Sequence, residues 1–274
     1  VFLLPRIETS MFLLGNMRAV GLEDGDEFMK GTYVAAFDGD EIVGVVAHYW
    51  NDNLIVQAPD HVESLCRAAI EGSGRRVRGL LGPAEQVQAA FDALAVAEDT
   101  IQLDQSEYLY SLALADLIAP EGLRTGRLAG RRIQPRDVEQ VTEWLVAFGL
   151  ESLGEEESPQ LWERTRANVE RKQEQGTTWI LEDGGRPVST SGFNTTTAEA
   201  VQIGGVFTPP ELRCRGYGRA VVAASLLDAR AEGVASSILF TGVDNLPAQK
   251  SYEALGYRHI GDYRLILVRA PEGG

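Results

Sequence analysis

Val206-Phe207-Thr208-Pro209-Pro210-Glu211-Leu212-Arg213-Cys214-Arg215-Gly216-Tyr217-Gly218-Arg219 reads as the end of a strand, a loop and the opening of a helix. Glycine lets backbone amides approach a ligand closely. The first turn of a helix carries unpaired N–H groups and a partial positive charge, which together favour an anion. Arg213, Arg215 and Arg219 add guanidiniums suited to charge-assisted hydrogen bonds. The stretch therefore predicts a phosphate or pyrophosphate cradle. It is not the dinucleotide fingerprint, whose third glycine would fall at Val221. Nor is it a P-loop, because no Gly-Lys-Ser/Thr closes the run.

Working outward, three strand-like runs precede the loop, Thr177–Glu182, Pro187–Asn194 and Ala200–Thr208, joined by turn residues as hairpins. Before them, Pro135–Gly149 and Glu155–Gln175 read as helices, with Val138, Val141, Leu145 and Phe148 on one face of the first. After the loop come a helix to about Ala231, a buried strand Ser236–Thr241, a helix Leu246–Leu255 and a last strand Arg258–Val268. Asn245, Ala248 and Tyr252 are spaced to share one face of that second helix. The first half repeats the order with Thr32–Phe37, Ile42–Tyr49, Leu54–Gln57, a helix from Asp60, strand Arg76–Leu81, helix Pro83–Leu94 and strand Glu107–Leu114. Asp60 with Glu63 predicts a capping box. Phe91-Asp92-Ala93-Leu94 falls where Tyr252-Glu253-Ala254-Leu255 falls in the second half, so an internal duplication is expected. The resulting division is residues 1–118, a connector at 119–130 marked by Ala119-Pro120-Glu121-Gly122 and a run of arginines, and residues 131–274.

With 274 residues, the chain is long enough for two domains. Its formal net charge of −15 argues against a surface that tracks nucleic acid, and makes three arginines within seven residues stand out. No uninterrupted apolar run of about 18 residues indicates a membrane span. Val1-Phe2-Leu3-Leu4-Pro5 lacks the pattern of a secretory signal, so a reducing cytoplasm is the expected compartment. Cys66 and Cys214 suggest no disulfide framework, and His48, His61 and His259 have no ligand spacing, so no metal is expected.

Arg213-x-x-Gly216-x-Gly218, followed by Asn245, Ala248, Tyr252 and Leu255-Gly256-Tyr257, resembles the two motifs of the GNAT superfamily, the GCN5-related N-acetyltransferases. The resemblance covers about residues 130–268. Residues 1–118 are similar only in element order, like a degenerate copy in a tandem-GNAT protein. It implies an α/β (α+β) chain of two GNAT-like domains, each a mixed, mostly antiparallel central sheet flanked by helices. It also implies direct transfer of an acetyl or other acyl group from acetyl-CoA to an amine. Val206, Phe207 and Thr208 would hold the pantetheine arm, with Gly204-Gly205 bending the strand away from its neighbour. Residues Arg213, Cys214, Arg215, Gly216, Tyr217, Gly218 and Arg219 would hold the pyrophosphate, and Asn245, Ala248 and Ser251 would also contact the cofactor. Tyr252 would be the general acid toward the departing thiolate. Glu151 and Glu199 are the carboxylates to consider as base, and Trp144 and Phe148 would line the acceptor pocket. In the first half Asp60 and Glu63 would oppose a phosphate and Phe91 lacks a hydroxyl, so CoA binding is expected in the second half only. A non-catalytic acyl-CoA-binding module is one alternative. A Fem-type transferase using aminoacyl-tRNA is another, disfavoured by the net charge. The acceptor amine and the choice between monomer and homodimer stay open.

Overall fold

The computed structural model describes residues 2–269. The chain divides into two compact units, Val1–Leu109 with Ile260–Gly274, and Tyr110–His259. The first contains α1 (Ile7–Val20), β1 (Gly31–Asp38), β2 (Glu41–Tyr49), β3 (Asn53–Gln57), α2 (Val62–Ser73), β4 (Gly79–Pro83), α3 (Ala84–Leu94) and the start of β5 (Ile101–Ala113). Pairing is antiparallel for β1–β2 and β2–β3, and parallel for β3–β4. Side chains alternate across the sheet as strand geometry requires. Val46, Leu54 and Val56 meet Leu65, Cys66, Ala69, Val87 and Ala90 of α2 and α3. Their neighbours Val45, Ala47 and Ile55 meet Leu13 and Leu14 of α1 on the other face.

The second unit begins with α4 (Glu121–Arg124), β6 (Leu128–Arg132), α5 (Val138–Ser152) and α6 (Pro159–Gln175). It continues with β7 (Thr178–Asp183), β8 (Arg186–Thr196), β9 (Ala200–Phe207), α7 (Tyr217–Ala231), β10 (Ser236–Gly242) and α8 (Leu246–Glu253). β6–β7, β7–β8 and β8–β9 are antiparallel, and β9–β10 is parallel. α5 and α6 cover one face, where Val138, Val141, Trp144 and Val169 enclose Ile180 and Phe207. α7 packs along β6 to β9, and its Asp228 accepts the indole N–H of Trp179 at 2.7 Å.

The final strand, β11 (Arg258–Val268), leaves this unit at His259. Tyr263 to Leu267 then pair antiparallel with Pro83 to Gly79 of β4. The units are therefore not consecutive halves of the sequence, because the last strand completes the sheet begun by the first. Residues 119–130, which read as a connector, hold α4 and the start of β6, with Leu128 buried opposite Asp183. The helix α1 has no counterpart in the sequence reading. The capping box at Asp60 and Glu63 does not form. His61 caps α2 in the left-handed region at φ +64, and Glu63 instead accepts from Arg67 Nε at 3.0 Å.

The two units share local detail as well as pairing. The β1–β2 and β7–β8 hairpins each carry a register shift next to the turn, at Phe37 and at Glu182. The two strands of each parallel pair are joined through a helix that opens on a left-handed residue, His61 before α2 and Gly216 before α7. Among the described residues no helix is long and apolar enough to cross a membrane.

Candidate active site

Thr190 lies opposite Phe207 and Gly192 opposite Gly204, so β9 carries one more residue than β8 over this stretch. That extra residue makes a β-bulge, which bends its strand. Gly205 sits in the bulge at φ +61, a conformation that costs other L-residues about 1–2 kcal/mol. On its other edge β9 pairs with β10 from Ala200↔Ser236 to Ile203↔Leu239. The ladder stops where the bulge begins, although β10 runs on to Gly242. The strands thus part at Gly204, as the glycine pair predicts, and a Cβ on Gly205 would lie 3.3 Å from Leu145 Cδ2 of α5.

Ser189 Oγ donates to the Phe207 carbonyl at 2.8 Å and lies 2.9 Å from Thr208 Oγ1, which fixes the strand's end. Arg213 Nε donates to the Thr208 carbonyl at 3.0 Å, its guanidinium lies over the Phe207 ring, and its Nη2 donates to Glu151 at 2.6 Å. Arg213 thus braces the loop from within. Cys214 is exposed at φ +59, and Gly216 caps α7 at φ +78 without any side-chain hydrogen bond to the helix's first amides. Among the described residues the amides of 214–219 donate no hydrogen bond to another group of the chain. Tyr217 is buried and its hydroxyl donates to Asp183 at 2.6 Å. Arg219 Nε is buried without a partner. Free amides at a helix start together with an unsatisfied guanidinium nitrogen make a site that fits an anion.

Because β9 and β10 are parallel, the elements that follow them emerge at the same end of the sheet. Gln249 Nε2 donates to the carbonyls of Gly242 and Val243 at 3.0 and 2.9 Å, tying α8 to the end of β10. Asn245 is the N-cap of α8, accepting from the Ala248 amide at 3.2 Å. That capping bond accounts for an asparagine ahead of this helix. Ser251 Oγ donates back to the Pro247 carbonyl at 2.8 Å. Tyr252 is buried, its ring meets Tyr257 edge-on at 5.9 Å, and burial pushes its phenol up to about 12. Its hydroxyl has no hydrogen-bond partner among the described residues.

The other expected residues are distributed differently. Glu199 stands at the opposite end of β9, where its carbonyl accepts from Ala235 and Ser236. Five residues of strand separate it from Gly204, about 17 Å of extended chain. Trp144 is buried in the α5–α6 core and Phe148 packs against the same cluster, while Leu145 is the α5 residue facing the bulge. A polar pair absent from the sequence reading lies on the α6 side: Lys172 Nζ donates to Asn194 Oδ1 at 2.9 Å. Lys172 also sits beside Gly192, the bulge's cross-strand neighbour, and burial with Arg171 nearby lowers its ammonium to about 8. Nothing in a polar helical run marks one lysine as different. Its setting comes from the extra residue at Asn194, where β8 shifts register against β9.

Residues 138–257 match the family model of the acetyltransferase (GNAT) family. The fold extends over both units in solved structures. A GCN5-related N-acetyltransferase from Kribbella flavida aligns over 98% of this chain and 95% of its own, at 17% identity and TM-score 0.60. One from Sphaerobacter thermophilus covers 96% and 92%, at 15% identity and TM-score 0.57. A GNAT-family acetyltransferase from Colwellia psychrerythraea covers 97% and 96%, at 14% identity and TM-score 0.54. No curated protein matches the sequence.

Proposed function

We propose that this chain transfers an acetyl group from acetyl-CoA directly to an amine, at one site in the second unit. The observation that carries this is the run of unpaired amides at 214–219, opening on left-handed Gly216 beside strands that part at Gly204. Those amides hold the pyrophosphate, and the parted edge of β9 at Val206 and Thr208 holds the pantetheine arm. Acyl-CoA supplies the thioester, and an amide of the bulged strand polarises its carbonyl. Glu151, engaged by Arg213, braces the loop, and Leu145, the α5 residue facing the bulge, forms the apolar side of the acceptor pocket.

Tyr252 contributes as a hydrogen-bond donor to the leaving sulfur. With its phenol near 12 and a free thiol near 8.5, complete proton transfer would be uphill by roughly 5 kcal/mol. A hydrogen bond to a charged group stabilises it by about 1.5–3 kcal/mol without that transfer. The proton that finally reaches the thiolate then comes from solvent or from the acceptor.

The first unit is read as a second copy that has lost the cofactor. Its left-handed helix opening is kept at His61, but Asp60 and Glu63 flank it. Gln86 Oε1 accepts the Ala58 amide at 2.7 Å in the same loop. A Cβ at Gly82 would fall 2.6 Å from the Val56 carbonyl, so β4 presses on β3 where a slot would open. Release of CoA thiol from acetyl-CoA, measured over a panel of polyamines, amino acids and amino sugars, tests the reading. Stimulation by at least one amine is expected, and no release with any of them would count against it.

A further inference from the structure

We infer that the acceptor is a free amino acid, its carboxylate held by Lys172 and Asn194 while its amine lies at the parted edge of β9. The inference rests on the acyl-CoA reading of the second unit and names the class of amine that the same site takes.

Lys172 stands apart among the cations of α6. Arg164 and Arg166 are each paired with a glutamate, Glu155 and Glu170. Lys172 is half-buried, and among the described residues its ammonium has one hydrogen-bond partner, the Asn194 amide oxygen at 2.9 Å. None of those residues brings a carboxylate to it, although the chain carries 40 acidic residues. Desolvation and the nearby Arg171 already weaken its hold on the proton. A half-buried cation without a counter-charge is costly, and an arriving anion relieves that cost.

Asn194 is placed by the same bulge that parts the strands. A Cβ on Gly204 would collide with Asn194 Nδ2, so the carboxamide occupies the space of the missing side chain. Its oxygen accepts from Lys172, and its N–H groups lie over Gly204, where β9 leaves β10. Lys172 Nζ lies 3.6 Å from where a Cβ on Gly192 would stand, and Gly192 is the cross-strand neighbour of Gly204. Two glycines thus clear a floor beneath an ammonium and an amide nitrogen, a donor set that suits a carboxylate.

The amine end has its own signal. Thr195 pairs with Gln202 across β8 and β9; both are buried, and Thr195 Oγ1 and Gln202 Oε1 have no partner among the described residues. Gln202 Nε2 donates to the Ile203 carbonyl at 2.7 Å, which sets this carboxamide at the last pair of the β9–β10 ladder. Buried polar atoms are rarely left unsatisfied, and the N–H of an incoming amine satisfies Gln202 Oε1. Because β8 and β9 are about 4.8 Å apart, carboxylate and amine need a separation of about one to three carbons. That is the reach of an amino acid. Polyamines and neutral amino sugars bring no anion to Lys172, and a polyamine brings like charge.

The test follows CoA thiol release from acetyl-CoA over free α-, β- and γ-amino acids, each beside its carboxamide and beside the amine lacking the carboxylate. At least one amino acid should be used with kcat/KM at least tenfold above that of its carboxamide. Lys172→Met should raise KM for that amino acid at least tenfold, leave KM for acetyl-CoA unchanged and bring acid and carboxamide within about twofold. Lys172→Arg, which keeps the charge, should keep the acid preferred. The comparison of acid with carboxamide on the unaltered chain decides the matter even where a variant fails to fold. Equal use of acid and carboxamide by the unaltered chain would overturn the inference while leaving the acyl-CoA reading intact. So would acetyl-CoA binding with no amino acid accepted, or equal losses for acid and carboxamide in Lys172→Met. Failure of acetyl-CoA to bind in calorimetry would instead remove the acyl-CoA reading itself.

Discussion

Gly216 and Gly218 stand two residues apart in one loop, and alanine at each should have opposite consequences. Gly216 holds φ +78 and ψ +11, and a Cβ there would meet only Arg219 Nη2, at 3.8 Å. Gly216→Ala therefore brings no clash, and its cost is the left-handed backbone, about 1–2 kcal/mol. The lower entropy of the unfolded chain offsets about 0.4–1 kcal/mol of this. A net loss of about 1 kcal/mol lowers Tm by roughly 2–4 °C in a chain of this size. A Cβ on Gly218 would rest 3.5 Å from Thr208 Oγ1 and 3.9 Å from Val206 Cγ1, which is ordinary contact. In the first turn of α7, replacing glycine gains up to about 1 kcal/mol of helix propensity, so Gly218→Ala should hold or raise Tm. Binding should divide the same way. Relief of strain at residue 216 turns the amides of 217–219, and a loss of about 1.4 kcal/mol there is a tenfold weaker Kd. Thermal melts with acetyl-CoA calorimetry read both quantities. Equal stability and affinity in Gly216→Ala, or greater damage from Gly218→Ala, would refute the reasoning.

Two further outcomes follow from the same geometry. Tyr252→Phe removes a hydroxyl with no partner in the chain, so Tm should be unchanged while kcat falls about 10–100-fold at constant KM for acetyl-CoA, the size of one lost hydrogen bond to a charged sulfur. Full kcat in a steady-state assay would remove the hydroxyl from the reaction. Lys172 holds its proton to about 8 when folded against an ordinary 10.5. Between those values the unfolded chain binds more protons than the folded one, so this residue makes stability rise with pH across the window. Below pH 8 both states are protonated and the contribution is flat. Lys172→Met should abolish this part of the rise, read as the difference in Tm between the two proteins from pH 7 to 10.5; identical slopes would show that Lys172 is solvated.

Features written in neighbouring residues were legible in the sequence. The loop from Arg213 to Arg219, the glycine pair that parts β9 from β10, and the helix led by Asn245 each depend on short-range chemistry. What was not legible depends on tertiary placement. Periodicity marks Arg258–Val268 as a strand, yet which sheet receives it is decided by pairing with Gly79–Pro83, far away in sequence. Residues 120–128 have the proline, glycine and charge of a connector, yet Leu128 is buried where it pairs with Asp183 of β7 and Arg127 forms an ion pair with the same aspartate. Asp60 and Glu63 have the right spacing for a capping box, but the left-handed conformation of His61 takes the capping position away from Asp60. Glu199 is near the loop in sequence only through a strand that carries it to the far end of the sheet.

The central claim is an acyl-CoA site in the second unit alone, and the stoichiometry of acetyl-CoA binding tests it most directly. Calorimetric titration of the unaltered chain should give one site per chain. Two equivalent sites would contradict the assignment of the first unit, and no binding would contradict the site itself.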